Sequence, residues 1–323
     1  MDLRLALIEL TTRHRLDPQS SRRLATLAGL DDGEPPRLAR LLPRGAALAA
    51  AALGGLGIVL WIAANWDTLG RLGRFALLQG AILVACTGAL ARPAARAPLA
   101  LLALLAIGGL FAYFGQTYQT GADTWQLFAL WTALALPLCL GVRSDLVWAP
   151  WALVAMTAVP LWVQAHTGHQ WRIHPDDSAA LLCGALAAAI VVAVLSPAAR
   201  RITGAGAWSM RTAVTLAVVM VTMTAIGGLF HRPIAPHYAV GVVLLAIAAG
   251  VAAMPRSFEL YSLSAVALGL DTLLVAGLAR LLFEGGRGDG VGTLLFIGIA
   301  AATLLAATVS AILKLARRAE ASA

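Results

Sequence analysis

Charge is scarce in this chain. Asp, Glu, Lys and Arg make up 12% of its 323 residues, about half the share that a soluble domain carries. That leaves too little polar surface to cover a soluble globule of this length. Lysine is nearly absent, with Lys314 the one lysine among 24 basic residues. Together with abundant alanine, this reads as the coding bias of a GC-rich bacterium. Cysteine is scarce as well. Cys86, Cys139 and Cys183 lie inside apolar blocks without paired spacing, which speaks for packing rather than for metal or disulfide roles. Residues 1–44 hold no long apolar run, so no cleavable signal peptide is expected and the first span should act as an uncleaved anchor.

Catalytic and cofactor motifs are missing too. Gly285-Gly286-Arg287-Gly288-Asp289-Gly290 is rich in glycine, but it joins two apolar blocks and opens no strand–helix unit that would cradle a phosphate. No serine–histidine–acid spacing stands out. The sequence therefore offers no catalytic residue, cofactor or metal ligand set, and no support for an enzyme. The net charge of +8 does not point to nucleic acid. The arginines sit in tails and short loops between apolar blocks rather than in a stripe on a soluble domain.

What the chain has in quantity is apolar sequence in long blocks: 60% of residues are hydrophobic and the mean hydropathy is +0.81. This is the signature of lipid-facing helices. The expected fold is all-α, a polytopic transmembrane helix bundle of about ten spans at 45–64, 74–91, 98–115, 125–141, 146–165, 178–195, 211–230, 237–253, 258–279 and 291–313. The linkers at 142–145 and 254–257 are short enough that each pair could instead be one broken helix.

Residues 1–44 read as a helical head. Leu3, Ala6, Leu7 and Leu10 recur at helical spacing. Asp17-Pro18 is a helix start, with Asp as N-cap and Pro in the first position. Leu24, Leu27 and Leu30 offer an apolar stripe before Gly29 and the loop 31–36. Residues 37–42 read as a short basic amphipathic stretch on the membrane surface. Such a head is too small for a core of its own and should pack on itself, on the bilayer or on a protein partner.

Basic residues set the topology. With the N-terminus in the cytoplasm, 18 of the 24 fall on the inner side and 6 on the outer side. Without the head the balance is still 10 to 6. The excess predicts cytoplasmic N- and C-termini in a bacterial inner membrane. Trp66, Trp125 and Trp171 at outer ends, with Trp148 and Trp208 at inner ends, fit an interfacial belt.

An internal duplication is suggested by order-preserving matches. Residues 106–111 and 225–230 share the run Ala-Ile-Gly-Gly-Leu-Phe. Arg143-Ser144 matches Arg256-Ser257, and Leu181-Leu182 with Ala187–Ala189 matches Leu294-Leu295 with Ala300–Ala302. The chain would then comprise the head at 1–44, two spans at 45–91, and parallel four-helix repeats at 98–195 and 211–313. Coincidence in an Ala/Gly/Leu-rich chain is the alternative.

Polar outliers gather on the predicted outer side. Asn65 and Asp67 close the first span. The run from Gly115 to Gln126 joins two apolar helices through amide, hydroxyl and carboxylate groups, Gln116, Tyr118 and Asp123 among them. These groups either cap a turn or line a vestibule for a small polar or cationic solute. Asp271 lies inside the ninth span, where a carboxylate should face the bundle interior. Gln116 and Tyr118 are candidate partners, and Arg280 is too far along the helix. The expected vestibule comprises Asn65, Asp67, Gln116, Tyr118, Asp123 and Asp271. His166, His169, His174, His231 and His237 also fall on the outer side, with Asp176 and Asp177. Their spacing matches no specific metal site, and a pH-sensitive loop is equally open.

Two motifs carry a family resemblance. The first is Ile62-Ala63-Ala64-Asn65-Trp66 followed by Arg74-Phe75-Ala76-Leu77. The second is Gly115-Gln116-Thr117-Tyr118-Gln119 with Gly121-Ala122-Asp123, then Leu130-Trp131 and Leu136-Pro137. With the N-terminal helical pair, they resemble the bacterial membrane family catalogued as domain of unknown function 2157, over roughly residues 1–145. Beyond that only hydropathy matches. The family has no settled activity, so the resemblance implies membrane class and points at the two motifs without assigning catalytic roles.

Two functions remain open: a transporter- or channel-like protein with an outward polar vestibule, or a non-transporting sensor or assembly factor acting through the head.

Overall fold

The computed structural model describes residues 3–28, 36–65, 68, 70–118, 121, 123–167, 172–254, 257–284 and 290–321. These residues are helices and connecting turns, with no strand among them. The chain forms two compact units, residues 1–57 and 58–323.

In the first unit, α1 (Leu3–Arg13) and α2 (Pro18–Leu27) form the helical pair. Asp17 caps α2 as its residue type predicts: its carboxylate accepts the Gln19 N–H at 3.2 Å, and Pro18 occupies the first helical position. Between the helices, Arg15 turns the chain at φ 46°. The pair leaves Ile8, Leu10 and Leu27 exposed, Leu27 at 86%. The third helix, α3 (Pro36–Ala64), differs from expectation. The helix that carries the first span begins at Pro36, so it runs unbroken through the basic stretch at 37–42 and starts before the expected bound of 45. Pro43 lies inside it and removes only one backbone donor.

The second unit is a bundle. Its helices are α4 (Arg71–Ala91), α5 (Arg96–Tyr118), α6 (Thr124–Val142), α7 (Asp145–His166), α8 (Ser178–Leu195), the single turn α9 (Arg200–Thr203), α10 (Ala207–Leu229), α11 (Pro236–Ala252), α12 (Leu260–Glu284) and α13 (Gly290–Ala321). Short 3₁₀ turns at Pro93–Ala95 and Pro175–Asp177 lead into α5 and α8. Among the described residues, nine helices of the chain are long and apolar enough to cross a membrane. The tenth, α11, has 17 residues, about 26 Å at helical rise. Both doubtful linkers separate two helices. Arg143, in the left-handed region at φ 52°, ends α6 before α7 begins at Asp145. α11 stops at Ala252, well before α12 starts at Leu260.

Helix α7 is central. Trp148 and Trp151 stand edge to face, 5.0 Å between ring centroids. They pack with Leu104, Cys139, Ala188 and Ala213 from α5, α6, α8 and α10. Trp148 is thus no interfacial belt residue. It is fully buried, and its indole N–H donates to the Thr203 carbonyl at 2.8 Å. Lipid supplies no hydrophobic drive between helices, so close approach must come from small residues. At Gly108 on α5, an added Cβ would overlap the Trp131 ring of α6. That ring lies flat enough for its N–H to reach the Leu104 carbonyl at 2.9 Å. A second cluster joins Val214 and Ala225 of α10 to Leu245 of α11 and Val266 and Leu273 of α12.

Consecutive helices alternate in direction. The bundle therefore has one end marked by His166 and Leu229 and another marked by Asp145. At the Asp145 end, the Asp145 carboxylate accepts the N–H groups of Gly206 (2.9 Å), Trp208 (2.8 Å) and Ser209 (3.0 Å), capping α10. At the same end, Arg211 of α10 pairs with Glu259 at 2.8 Å, and Glu259 accepts the Ser262 N–H and hydroxyl, both at 2.7 Å.

Candidate functional site

The sequence motifs lie at the His166 end. Asn65 folds back on its own helix, its amide donating to the Trp61 carbonyl at 2.9 Å. Asp67 lies outside the described residues. Gln116 and Tyr118 occupy the last turn of α5 and are exposed. The Tyr118 ring joins Phe75 and Phe114, with centroids 5.9 and 4.8 Å away, and the Arg71 guanidinium stands 5.9 Å from it. Asp123 is the N-cap of α6, although its side chain makes no capping bond. Within this region the Thr117 hydroxyl and the Trp125 indole N–H are buried without hydrogen-bond partners among the described residues. Residues 9–148 match the family model described as "Predicted membrane protein (DUF2157)". The resemblance read from the two motifs holds, since both fall inside the DUF2157 match. No curated protein and no solved structure matches the chain.

Asp271 stands apart from the DUF2157 motifs. It is buried at mid-length of α12, 8% exposed. Its partner is neither Gln116 nor Tyr118. One carboxylate oxygen accepts the Thr308 hydroxyl of α13 at 3.0 Å, and the other is buried with no hydrogen-bond partner among the described residues.

The histidines do structural work at the same end. The His231 ring meets the Ile173 carbonyl at 2.5 Å and the His237 ring meets the His174 carbonyl at 2.8 Å. A carbonyl only accepts, so Nε2 carries the proton in each. Arg280 donates to the His231 carbonyl at 3.3 Å and pairs with Glu284 at 2.6 Å. His166 stacks on Trp162, 4.3 Å between centroids, and His169 lies outside the described residues. Among the described residues, no three His, Cys, Asp or Glu side chains gather as a metal-binding group.

Beyond the DUF2157 match, α7, α8 and α10 line a cleft of about 380 Å³. Its charged and amide lining lies at the His166 end, in Gln164, Arg172 and Asp177 with Thr167, while Thr224 lies lower and Thr157 lies beside Met156. Its floor is Met156, Leu216, Val219 and Met220. Local sequence explains the gap. Pro160, one of the lining residues, sits inside α7, where it cannot donate to the Met156 carbonyl and its ring displaces the preceding turn. A second cavity of about 170 Å³ lies between α8, α10 and α11, beside His237. Leu181, Met220 and Thr224 line both cavities and so form the partition between them. The sequence reading missed this site. Its available signal was Pro160 with Gln164 one turn later, in a chain whose other spans carry few amides.

Proposed function

We propose that this membrane protein is transporter- or channel-like and takes its ligand in the cleft between α7, α8 and α10. The observation that carries this reading is that the charged and amide groups of the cleft, Gln164, Arg172 and Asp177, gather at its His166 end, over a mostly apolar lining of Met156, Leu216 and Met220 at mid-depth. A few placed polar groups over an apolar lining is the usual make-up of a small-molecule site, and 380 Å³ falls in the usual range. Under the basic-residue topology the polar mouth faces outward, in a bacterial inner membrane with both termini cytoplasmic. The vestibule of Asn65, Asp67, Gln116, Tyr118 and Asp123 would then be an approach to this cleft. Trp125 of that region lies 5.8 Å from His166, next to Thr167 on the cleft mouth. Asp271 would serve a second, deeper position on α12.

A Met220→Trp variant fills the cleft without adding charge. Wild type, variant and empty liposomes should be compared for movement of a labelled panel of small cations, amino acids and short-chain acyl phosphates. Wild type should move at least one member faster than empty liposomes, and Met220→Trp should not. Equal rates in all three preparations across the panel would remove the transport reading.

We also read α5–α8 and α10–α13 as a duplicated four-helix unit. In both sets each helix touches the next, and the first also touches the third.

A second reading is supported by the head, where Ile8, Leu10 and Leu27 are 59%, 51% and 86% exposed. Such side chains suit a protein partner, as a sensor or assembly factor needs. Deleting residues 1–35 removes α1 and α2 and leaves α3 whole. Loss of a co-purifying partner, with insertion unchanged, would favour this role.

A further inference from the structure

We propose that the occupant of the α7–α8–α10 cleft is one phospholipid of the adjoining leaflet, with its phosphate at Arg172 and an acyl chain laid against Met156, Leu216 and Met220. This rests on reading the cleft as a ligand site.

The cleft is open sideways. Val219 and Met223 line it, yet they are 48% and 64% exposed. Both belong to a membrane-spanning segment of α10, so their exposed faces meet lipid tails rather than water. A ligand that enters past them comes from the bilayer.

The depth of the cleft fits one leaflet. On α7 its lining runs from Met156 to Thr167. Eleven residues at helical rise span about 16 Å, half of the roughly 30 Å hydrocarbon core. An acyl chain of the near leaflet would be accommodated along its length. Met156, Met220 and Met223 suit such an occupant, because thioether side chains adapt to flexible apolar partners.

The mouth supplies the headgroup chemistry. Arg172 is exposed there and forms no ion pair among the described residues. A guanidinium at the membrane surface is the side chain best matched to a phosphodiester. Lower in the cleft, the Gln164 amide and the Thr224 hydroxyl have no hydrogen-bond partner among the described residues. Thr157 of the same lining and Thr212 of α10 instead bond back to their own backbone, at Leu153 and Trp208. Thr224 lies five residues from the end of α10 at Leu229, about 7 Å below it. That depth suits a glycerol ester hanging beneath a phosphate held at the mouth.

Native mass spectrometry on delipidated protein in detergent tests this. The protein is titrated with dioleoylphosphatidylglycerol, with dioleoylglycerol, which lacks the phosphate, and with inorganic phosphate. Wild type should retain one equivalent of the phospholipid, and inorganic phosphate should not displace it. Arg172→Gln, a change at an exposed side chain, should weaken phospholipid retention about tenfold, the loss of one charge-assisted contact. It should leave dioleoylglycerol unchanged. Met220→Trp and Met223→Trp should each weaken both lipids, with thermal unfolding confirming that at least one of them is folded. If a folded cleft-filling variant retains phospholipid like wild type, the cleft reading itself fails. If those variants lose lipid but Arg172→Gln binds phospholipid like wild type, the cleft stands and the phosphate assignment is overturned. Displacement by inorganic phosphate would also overturn the lipid as the source of that phosphate.

Discussion

The Asp271 carboxylate and the Thr308 hydroxyl meet at 3.0 Å across the α12–α13 contact. Helix α13 packs against α12 and has none of its spanning window buried, so this bond is a large share of the specific polar contact holding it. In membranes such bonds contribute about 0.6 kcal/mol on average and up to nearly 2. Thr308→Val leaves a buried carboxylate without its donor and should lower the thermal unfolding temperature in detergent. Thr308→Ser, which keeps the hydroxyl, should restore it. Cysteine pairs bridging α12 and α13 should cross-link more slowly in Thr308→Val than in wild type. Equal cross-linking would show that the bond does not hold the helix.

Asp145 ties the Asp145 end together in the same manner, but through backbone donors. Its carboxylate accepts from three N–H groups at the start of α10, which have no partner within the helix. Asp145→Ala should cost about 1–2 kcal/mol, the range for loss of an N-cap. Asp145→Asn should cost less, because the amide oxygen still accepts. Gly206→Ala should reproduce much of the loss from the other side, since a Cβ there would overlap the carboxylate. Chemical unfolding in mixed micelles would rank the three. A Gly206→Ala protein as stable as wild type would contradict the tight approach.

Acid should weaken the same end through Glu259. Burial alone raises its pKa, but hydrogen bonds from Ser262 and the bond and charge of Arg211 outweigh it, so the net shift is downward from the ordinary value of 4.5. A carboxylate depressed in the folded state stabilises the fold above its unfolded value, and that contribution is lost as pH falls through the folded one. Thermal unfolding should therefore be flat with respect to this group above about pH 5.5 and decline below pH 4.5. Glu259→Gln should remove part of that acid decline. An identical acid limb in the variant would assign the decline to other groups.

The spans were legible because lipid enforces them. Residues 74–91, 146–165 and 178–195 were expected as spans, and the helices there are Arg71–Ala91, Asp145–His166 and Ser178–Leu195. Hydropathy reads such segments since every backbone polar group in hydrocarbon must be paired within its own helix. Partners far apart in the chain were not legible. Trp148 looked interfacial by its place near a span end, and its burial depends on a carbonyl 55 residues away. Asp271 was correctly placed in a helix interior, but its donor lies 37 residues on, in a helix without distinctive polarity. The cleft needs three helices and a proline at once. Gln164, Arg172 and Thr224 are ordinary residues until α7, α8 and α10 bring them to one wall.

Orientation remains the step on which the outward mouth depends, and it has a direct measurement. Replacing Cys86, Cys139 and Cys183 by alanine removes the three native thiols. Asp123→Cys then reports on the His166 end, where Asp123 is exposed. Arg317→Cys reports on the end of α13. The basic excess of 18 to 6 resists translocation of the arginine-rich side, so Asp123 should face outward and Arg317 inward. A membrane-impermeant maleimide should label Asp123→Cys in intact cells, and Arg317→Cys only after permeabilisation. The reverse pattern would put the Arg172 mouth in the cytoplasm, and the cleft would then face the inner leaflet with the same chemistry.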